Sequence, residues 1–299
     1  MSLSIVYTRA AIGIDAPQVI VEVHISNGLP ALSLVGLPET TVKEARDRVR
    51  SAILNSGFIF PAQRITVNLA PANLPKEGGR YDLPIAVAIL AASKQLPDSL
   101  LTNYEFVSEL ALTGELRRVH GAIPAAMAAS NSGRQLVLSS ENQHEAGLIK
   151  TSACLIASHL QEVCGFLHSQ FTLPVATTQF EQQPEADTLC LSEVIGQQHA
   201  KRGLEITAAG GHNLLLLGPP GTGKAMLALR LPGLLPPLNE TEALESAAIT
   251  SLVSAESLWQ TWRKRPFRAP HDFTLCVNWG RGYPQARRNF ACTSWGTIP

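Results

Sequence analysis

The run Gly218-Pro219-Pro220-Gly221-Thr222-Gly223-Lys224 constrains this chain more than any other stretch. It follows the apolar residues Leu214–Leu217 and precedes the helical pattern Ala225–Leu231. A strand, a glycine-rich turn and a helix in that order form the setting in which backbone N–H groups cradle phosphate oxygens. Glycine reaches backbone angles closed to other residues and lets the main chain approach an anion closely. A helix N-terminus adds its positive dipole end, and Lys224 supplies a cation for the β- and γ-phosphates. The sequence therefore predicts a nucleotide-phosphate site on a parallel-sheet α/β module.

Two chemical gaps accompany that site. The residue after the lysine is ordinarily Ser or Thr, whose hydroxyl binds Mg²⁺; here it is Ala225, and a methyl group is no ligand. Hydrolysis also needs an acidic residue at a second strand end to hold the metal and position water. The acids after Lys224 are Glu240, Glu242, Glu245, Glu256 and Asp272, and none follows an apolar strand-like run. The expectation is nucleotide binding with weakened Mg²⁺-dependent turnover, no catalytic residue and no metal-ligand set.

The rest of the chain reads as alternating strands and helices. Val19, Val21, Val23 and Ile25 alternate as in a half-buried strand. A helix follows Gly36-Leu37-Pro38, with Thr40 or Thr41 as its cap and Val42, Ala45, Val49, Ala52 and Ile53 on one face. Arg64–Leu69 and Phe106–Leu112 read as strands, Leu83–Lys94 as a buried helix and Ile123–Ser130 as a helix ended by Gly133. Short strands at Leu136–Leu138 and Leu155–Ala157 precede a helix at His159–Leu167. This mixture predicts a two-layer α/β (α+β) domain over residues 1–169. Residues 170–190 lose both periodicities and are rich in Gln, Thr, Pro and Glu, the composition of a linker. Regular pattern resumes at Leu191 and opens a second domain, residues 191–271.

Formal net charge is zero, so no global field favours nucleic acid or an anionic membrane. The apolar stretch Leu83–Ala92 is too short to span a bilayer, which takes about 20 residues. No charged-then-apolar leader opens the chain. Five cysteines without CxxC spacing argue against a disulfide framework and for a reducing, cytoplasmic setting.

Several segments resemble the magnesium-chelatase-like AAA+ proteins, and within them the ComM/YifB family. They are Val194-Ile195-Gly196-Gln197, Lys201-Arg202-Gly203-Leu204-Glu205 and GGHNLLLLGPPGTGK in the second domain. In the first they are GLPETTVKEARDRVRSAI, NLAPANLPKEGGRYDLPIAVAIL and ELALTGELRRV. The resemblance implies a ribosomal-protein-S5-like, Lon/RadA-type N-terminal domain followed by an incomplete AAA+ module. It places Val194, Ile195 and Gly196 near an adenine. It places Gly218, Pro219, Pro220, Gly221, Thr222, Gly223, Lys224 and Ala225 on the phosphates of ATP or ADP, with Mg²⁺ as the family's metal. It further implies a homo-hexameric motor that moves branched DNA during transformation and recombination. A chelatase-type subunit that drives Mg²⁺ into a porphyrin is the alternative; the S5-like domain disfavours it. A non-enzymatic nucleotide-binding fragment is the third reading. Lon-type proteolysis needs a serine nucleophile and a lysine base, and PKEGGRYDLP and VHGAIPAAM offer no such pair. Within PKEGGRYDLP, Lys76, Glu77, Arg80 and Asp82 are either a surface binding cluster or an ion-paired turn.

The family pattern runs to Arg268-Ala269-Pro270-His271 and stops. All four tryptophans lie after residue 258, and two of five cysteines fall in residues 272–299. That shift predicts an aberrant tail over 272–299, translated out of frame. Trp262–Arg268 interleaves aromatic and basic residues, as in single-strand binders, although so few cations are ordinary for a solvated loop.

Overall fold

A computed structural model describes residues 2–36, 40–150, 153–178, 189–253 and 262–267, with the side chains of residues 40–43 outside the description. The side chains of Thr40, Thr41 and Val42, and with them the predicted cap, lie outside the description, and most of the predicted linker and the tail lie outside the described residues. By contacts the chain divides into two units, Met1–Gln179 with Ala247–Leu258, and Phe180–Ser246 with Trp259–Pro299.

The first unit is built in chain order from β1 (Ser2–Arg9), β2 (Gln18–Ser26), β3 (Ala31–Val35), α1 (Thr40–Asn55), β4 (Arg64–Ala70) and α2 (Asp82–Ala92). It continues with β5 (Tyr104–Val107), β6 (Glu109–Leu110), β7 (Leu116–Arg117) and α3 (Ala122–Asn131). It closes with β8 (Gln135–Ser139), α4 (Gln143–Ala146), β9 (Leu155–Ala157) and α5 (Leu160–Leu167). Seven strands form one mixed sheet in the order β3-β4-β2-β1-β5-β8-β9. The β1–β2 and β2–β4 pairs are antiparallel, and the other four are parallel. The seam between the two halves is thin: β1 meets β5 in register only at Tyr7 and Glu105.

Local pattern explains most of these elements. In β2 burial alternates strictly, with Val19, Val21 and Val23 fully buried, because successive side chains point to opposite faces. On α1, Ala45, Val49, Ala52 and Ile53 are buried along one stripe. Every residue of α2 is buried, as its unbroken apolarity requires, with β1, β2 and β5 packed on it and α1 also against it.

The structure departs from the pattern reading at three places. Phe106–Leu112 is two strands rather than one, because Ser108 leaves the sheet. Its N–H donates to the Arg80 carbonyl (3.3 Å) and its carbonyl accepts from Leu83 (3.2 Å), so β6 then pairs with β7 instead. His159 is the cap of α5 rather than its first residue; its Nδ1 accepts from the Gln161 N–H at 3.2 Å. Residues 173–176, linker-like in composition, lie against β9. Ile156 donates to Pro174 (3.0 Å), Ala176 donates to Cys154 (2.8 Å), and Leu173 is buried.

The Lys76–Asp82 segment is not a surface cluster, and the ion pair it makes is that of Asp82 with Arg48. Lys76, Arg80 and Asp82 are all buried. Lys76 Nζ donates to the carbonyls of Gly36 (2.8 Å), Pro71 (2.6 Å) and Leu74 (3.0 Å), so it fastens three loop carbonyls rather than facing solvent. Asp82 accepts from Arg48 Nε (2.8 Å) and Nη2 (3.1 Å).

The second unit contains α6 (Gln198–Gly210), α7 (Lys224–Ala228) and α8 (Leu231–Leu234), and α9 (Glu240–Val253) runs across the division. Its buried cluster is small: Val194, Leu204, Leu227 and Leu231, with Leu216, Leu234 and Leu235 partly buried against them. Leu214–Leu217 was expected to be a strand of a parallel sheet and is not one. A strand exists through hydrogen bonds to a neighbour, and among the described residues of this unit there is no strand to supply them. Leu215 and Leu217 are accordingly 73% and 84% exposed.

Candidate functional site

The glycine-rich loop connects that extended run to α7. Gly221 and Gly223 have φ of +82° and +84°, in the region that side chains rarely occupy. Gly223 is the left-handed residue that turns the chain into α7, which begins at Lys224. The sequence places glycine where the backbone needs it. Pro219 and Pro220 enter the turn exposed.

Inside the loop the cation is folded inward. Lys224 Nζ donates to the carbonyls of Gly218 (2.8 Å) and Pro219 (2.7 Å), and the Thr222 hydroxyl donates to Pro219 at 2.9 Å. A phosphate entering the loop would compete with these carbonyls for the ammonium group. Ala225 is exposed on the first turn of α7 and presents a methyl group.

The second predicted segment touches the first through one residue. Gln197 Nε2 donates to the Thr222 carbonyl at 3.3 Å, tying residues 194–197 to the loop. Gly196 and Gln197 both have positive φ, +72° and +57°, so the chain turns sharply there before α6. Val194 is buried in the small core, whereas Ile195 is 97% exposed. Of the three residues expected beside an adenine, Val194 therefore packs inward and Ile195 stands in solvent.

Arg230 is a positioning residue that motif reading passed over. Its Nε donates to the Cys190 carbonyl (2.9 Å), its Nη1 to Met226 (3.1 Å), and its Nη2 bonds Glu193 Oε2 (2.7 Å). It thus holds the segment before Val194 against α7. Nothing in a local window marks it, because two of its three partners, Cys190 and Glu193, lie far back in the chain.

Among the described residues no group of three His, Cys, Asp or Glu side chains lies close enough to hold a metal. Glu242, one of the acids following the loop, serves as a helix cap instead. Its N–H donates to Asn239 Oδ1 (2.8 Å), and its carboxylate accepts from the Asn239 N–H (3.2 Å), a reciprocal capping pair. Glu256 and Asp272 lie outside the described residues.

Comparison with known proteins bears on both units. Residues 21–142 match the family model described as subunit ChlI of Mg-chelatase, and residues 190–278 match that of magnesium chelatase, subunit ChlI. The chain belongs to the magnesium-chelatase-like family that includes the YifB and ComM proteins. It is 64% identical over 271 residues to the YifB protein of Salmonella typhimurium, covering 91% of this chain and 53% of that protein. It is 58% identical over 275 residues to the competence protein ComM of Haemophilus influenzae, covering 91% of this chain and 54% of that one. A Mycobacterium tuberculosis protein is 40% identical with the same coverages, 91% and 54%. The chain therefore spans about half the length of these relatives. The second family match extends to residue 278, beyond His271.

No helix among the described residues is long and apolar enough to cross a membrane.

Proposed function

We propose that this chain binds ATP or ADP on Gly218–Lys224 and does not turn it over. The observation that carries the reading is the loop itself: two left-handed glycines deliver the chain into a helix that opens with Lys224. Such a loop aims backbone N–H groups at phosphate. Lys224 leaves its two loop carbonyls for the β/γ-phosphates. Ile195 and Gly196 flank the base, and Gln197 keeps them beside the loop.

Absence of turnover follows from ligand chemistry. Ala225 offers no hydroxyl for Mg²⁺. By its resemblance to the ComM/YifB family, a hexameric, DNA-acting ATPase is the activity proposed for full-length members, one of whose relatives here is named a competence protein. On this reading the N-terminal unit is the S5-like, Lon/RadA-type domain, and the protein works in the cytoplasm.

The test is a titration with a fluorescent ADP analogue and an ATPase assay on the same preparation. Binding that disappears in Lys224→Ala, with phosphate release at the blank rate, is the expected result. Affinity unchanged by Lys224→Ala overturns the site, and Mg²⁺-dependent hydrolysis overturns the loss of turnover. Ala225→Thr is the companion variant, expected to strengthen the Mg²⁺ dependence of nucleotide affinity.

A further inference from the structure

The segment that leads up to the glycine-rich loop's neighbour, Gln197, is held by little packing. The 3₁₀ turn Leu191–Glu193 buries none of its residues. Val194 enters the small core, with Leu191 partly buried against it. One buried side chain fixes a point on a segment and not its direction.

Polar bonds supply the direction, from both ends. At one end Gln197 Nε2 donates to the Thr222 carbonyl within the loop. At the other, the Cys190 carbonyl accepts the Glu193 N–H at 3.3 Å, which closes the turn, and Arg230 Nε at 2.9 Å. Arg230 Nη2 donates to the Glu193 carboxylate of the same turn at 2.7 Å, and Nη1 donates to the Met226 carbonyl on α7 at 3.1 Å. One guanidinium thus bonds the turn twice and the helix that opens with Lys224 once. The Arg230 side chain is 11% exposed, so water competes weakly for these bonds. A planar fork with donors in fixed directions serves three acceptors at once, which a compact ammonium group on a flexible stem does not. Each Arg230 nitrogen already has a protein partner, so this arginine is no phosphate ligand.

Between the two anchors stand Ile195 and Gly196. Ile195 is almost wholly exposed, and no atom lies within 4 Å of where a Cβ on Gly196 would stand. An apolar side chain next to a glycine with open space above it offers a step on which a planar ring can rest.

We infer that Arg230 is the positioning residue through which this site takes a nucleoside as well as its phosphates. By fixing residues 190–193 against α7, it sets Ile195 and Gly196 where a base lies. The inference rests on nucleotide binding at Gly218–Lys224. The phosphate share of the affinity belongs to the loop and does not depend on Arg230; the nucleoside share does.

Calorimetric titration of the full chain with ADP and with inorganic pyrophosphate separates the two shares. The parent should bind ADP at least about tenfold more tightly than pyrophosphate, the scale of burying apolar surface against one side chain. In Arg230→Met the ADP affinity should fall to that of pyrophosphate, while pyrophosphate still binds as to the parent. A general loss of local structure would weaken both ligands together. Glu193→Ala leaves Arg230 two of its three bonds and should narrow the ADP-to-pyrophosphate ratio by about threefold, the scale of an exposed ion pair. If Arg230→Met loses pyrophosphate as well, the loop itself has been damaged and Glu193→Ala decides: a ratio equal to the parent's overturns the inference. So does an Arg230→Met chain that keeps the parent's ratio, or a parent that binds ADP no better than pyrophosphate. A parent that binds neither ligand, or ADP affinity unchanged in Lys224→Ala, overturns the nucleotide reading itself and the inference with it.

Discussion

Glu105→Ala should cost the first unit about 3–5 kcal/mol, the usual loss when one partner of a buried ion pair is removed. Arg9 Nε and Nη2 bond the two Glu105 oxygens at 2.6 and 2.8 Å, and Arg134 Nη1 reaches the same carboxylate at 3.4 Å. The Glu105 side chain is fully buried and that of Arg9 is 6% exposed, so solvent cannot take over the lost partner. What remains to Arg9 is the Ser132 hydroxyl and a 3.4 Å bond to the Ala16 carbonyl, neither of which carries charge. The site matters because Arg9 ends β1 and Glu105 lies on β5. That seam has one backbone register pair, so the side-chain clamp joins the antiparallel half of the sheet to the parallel half. Urea unfolding should be read by far-UV circular dichroism. With a slope of about 2 kcal/mol/M, the midpoint should fall by about 1.5–2.5 M. Arg9→Met/Glu105→Leu, which removes both charges, should recover most of the loss. Single variants that each cost under about 1 kcal/mol, or costs that simply add in the double variant, would refute the clamp.

Other outcomes follow from the same structure. Burial raises the Asp82 carboxyl from 3.8 to about 6, against the pull of the Arg48 bond. The folded state therefore holds this proton where the unfolded chain releases it, and stability falls as pH rises from about 4 to about 6, by up to ~3 kcal/mol. Asp82→Asn should lack that slope in urea titrations run at successive pH values; parallel profiles for the two chains would contradict it. Cys190 is exposed, and the Ser192 hydroxyl at 2.9 Å lowers its thiol pKa, whereas burial pushes Cys154 and Cys164 up to about 12. Peptide mapping after iodoacetamide should show Cys190 labelled before Cys154 and Cys164, which react only on unfolding. If the composition of residues 170–190 marks the connection between domains, a glutamate-specific protease should cut first at Glu181 or Glu185. Earlier cleavage at Glu162 would count against that boundary.

Sequence alone determined a good deal. Period-two alternation in β2, the apolar stripe of α1 and the all-apolar α2 are local patterns, and each predicts its own burial. The glycine-rich loop was legible for the same reason, since its φ values are properties of single residues. The oxygen ligand missing at Ala225 needs no structure to see. Tertiary structure decided the rest. Ser108 splits the stretch Phe106–Leu112 because its backbone finds partners at Arg80 and Leu83, far back in the chain. Leu214–Leu217 has the composition of a strand and, among the described residues of its unit, no neighbouring strand to make it one. Lys76 and Arg80 sit in the same polar-looking turn, yet one is fully satisfied by carbonyls and the other is buried without a partner. Composition cannot separate two such cations, because a charge is stabilised or stranded by the atoms that long-range folding brings to it.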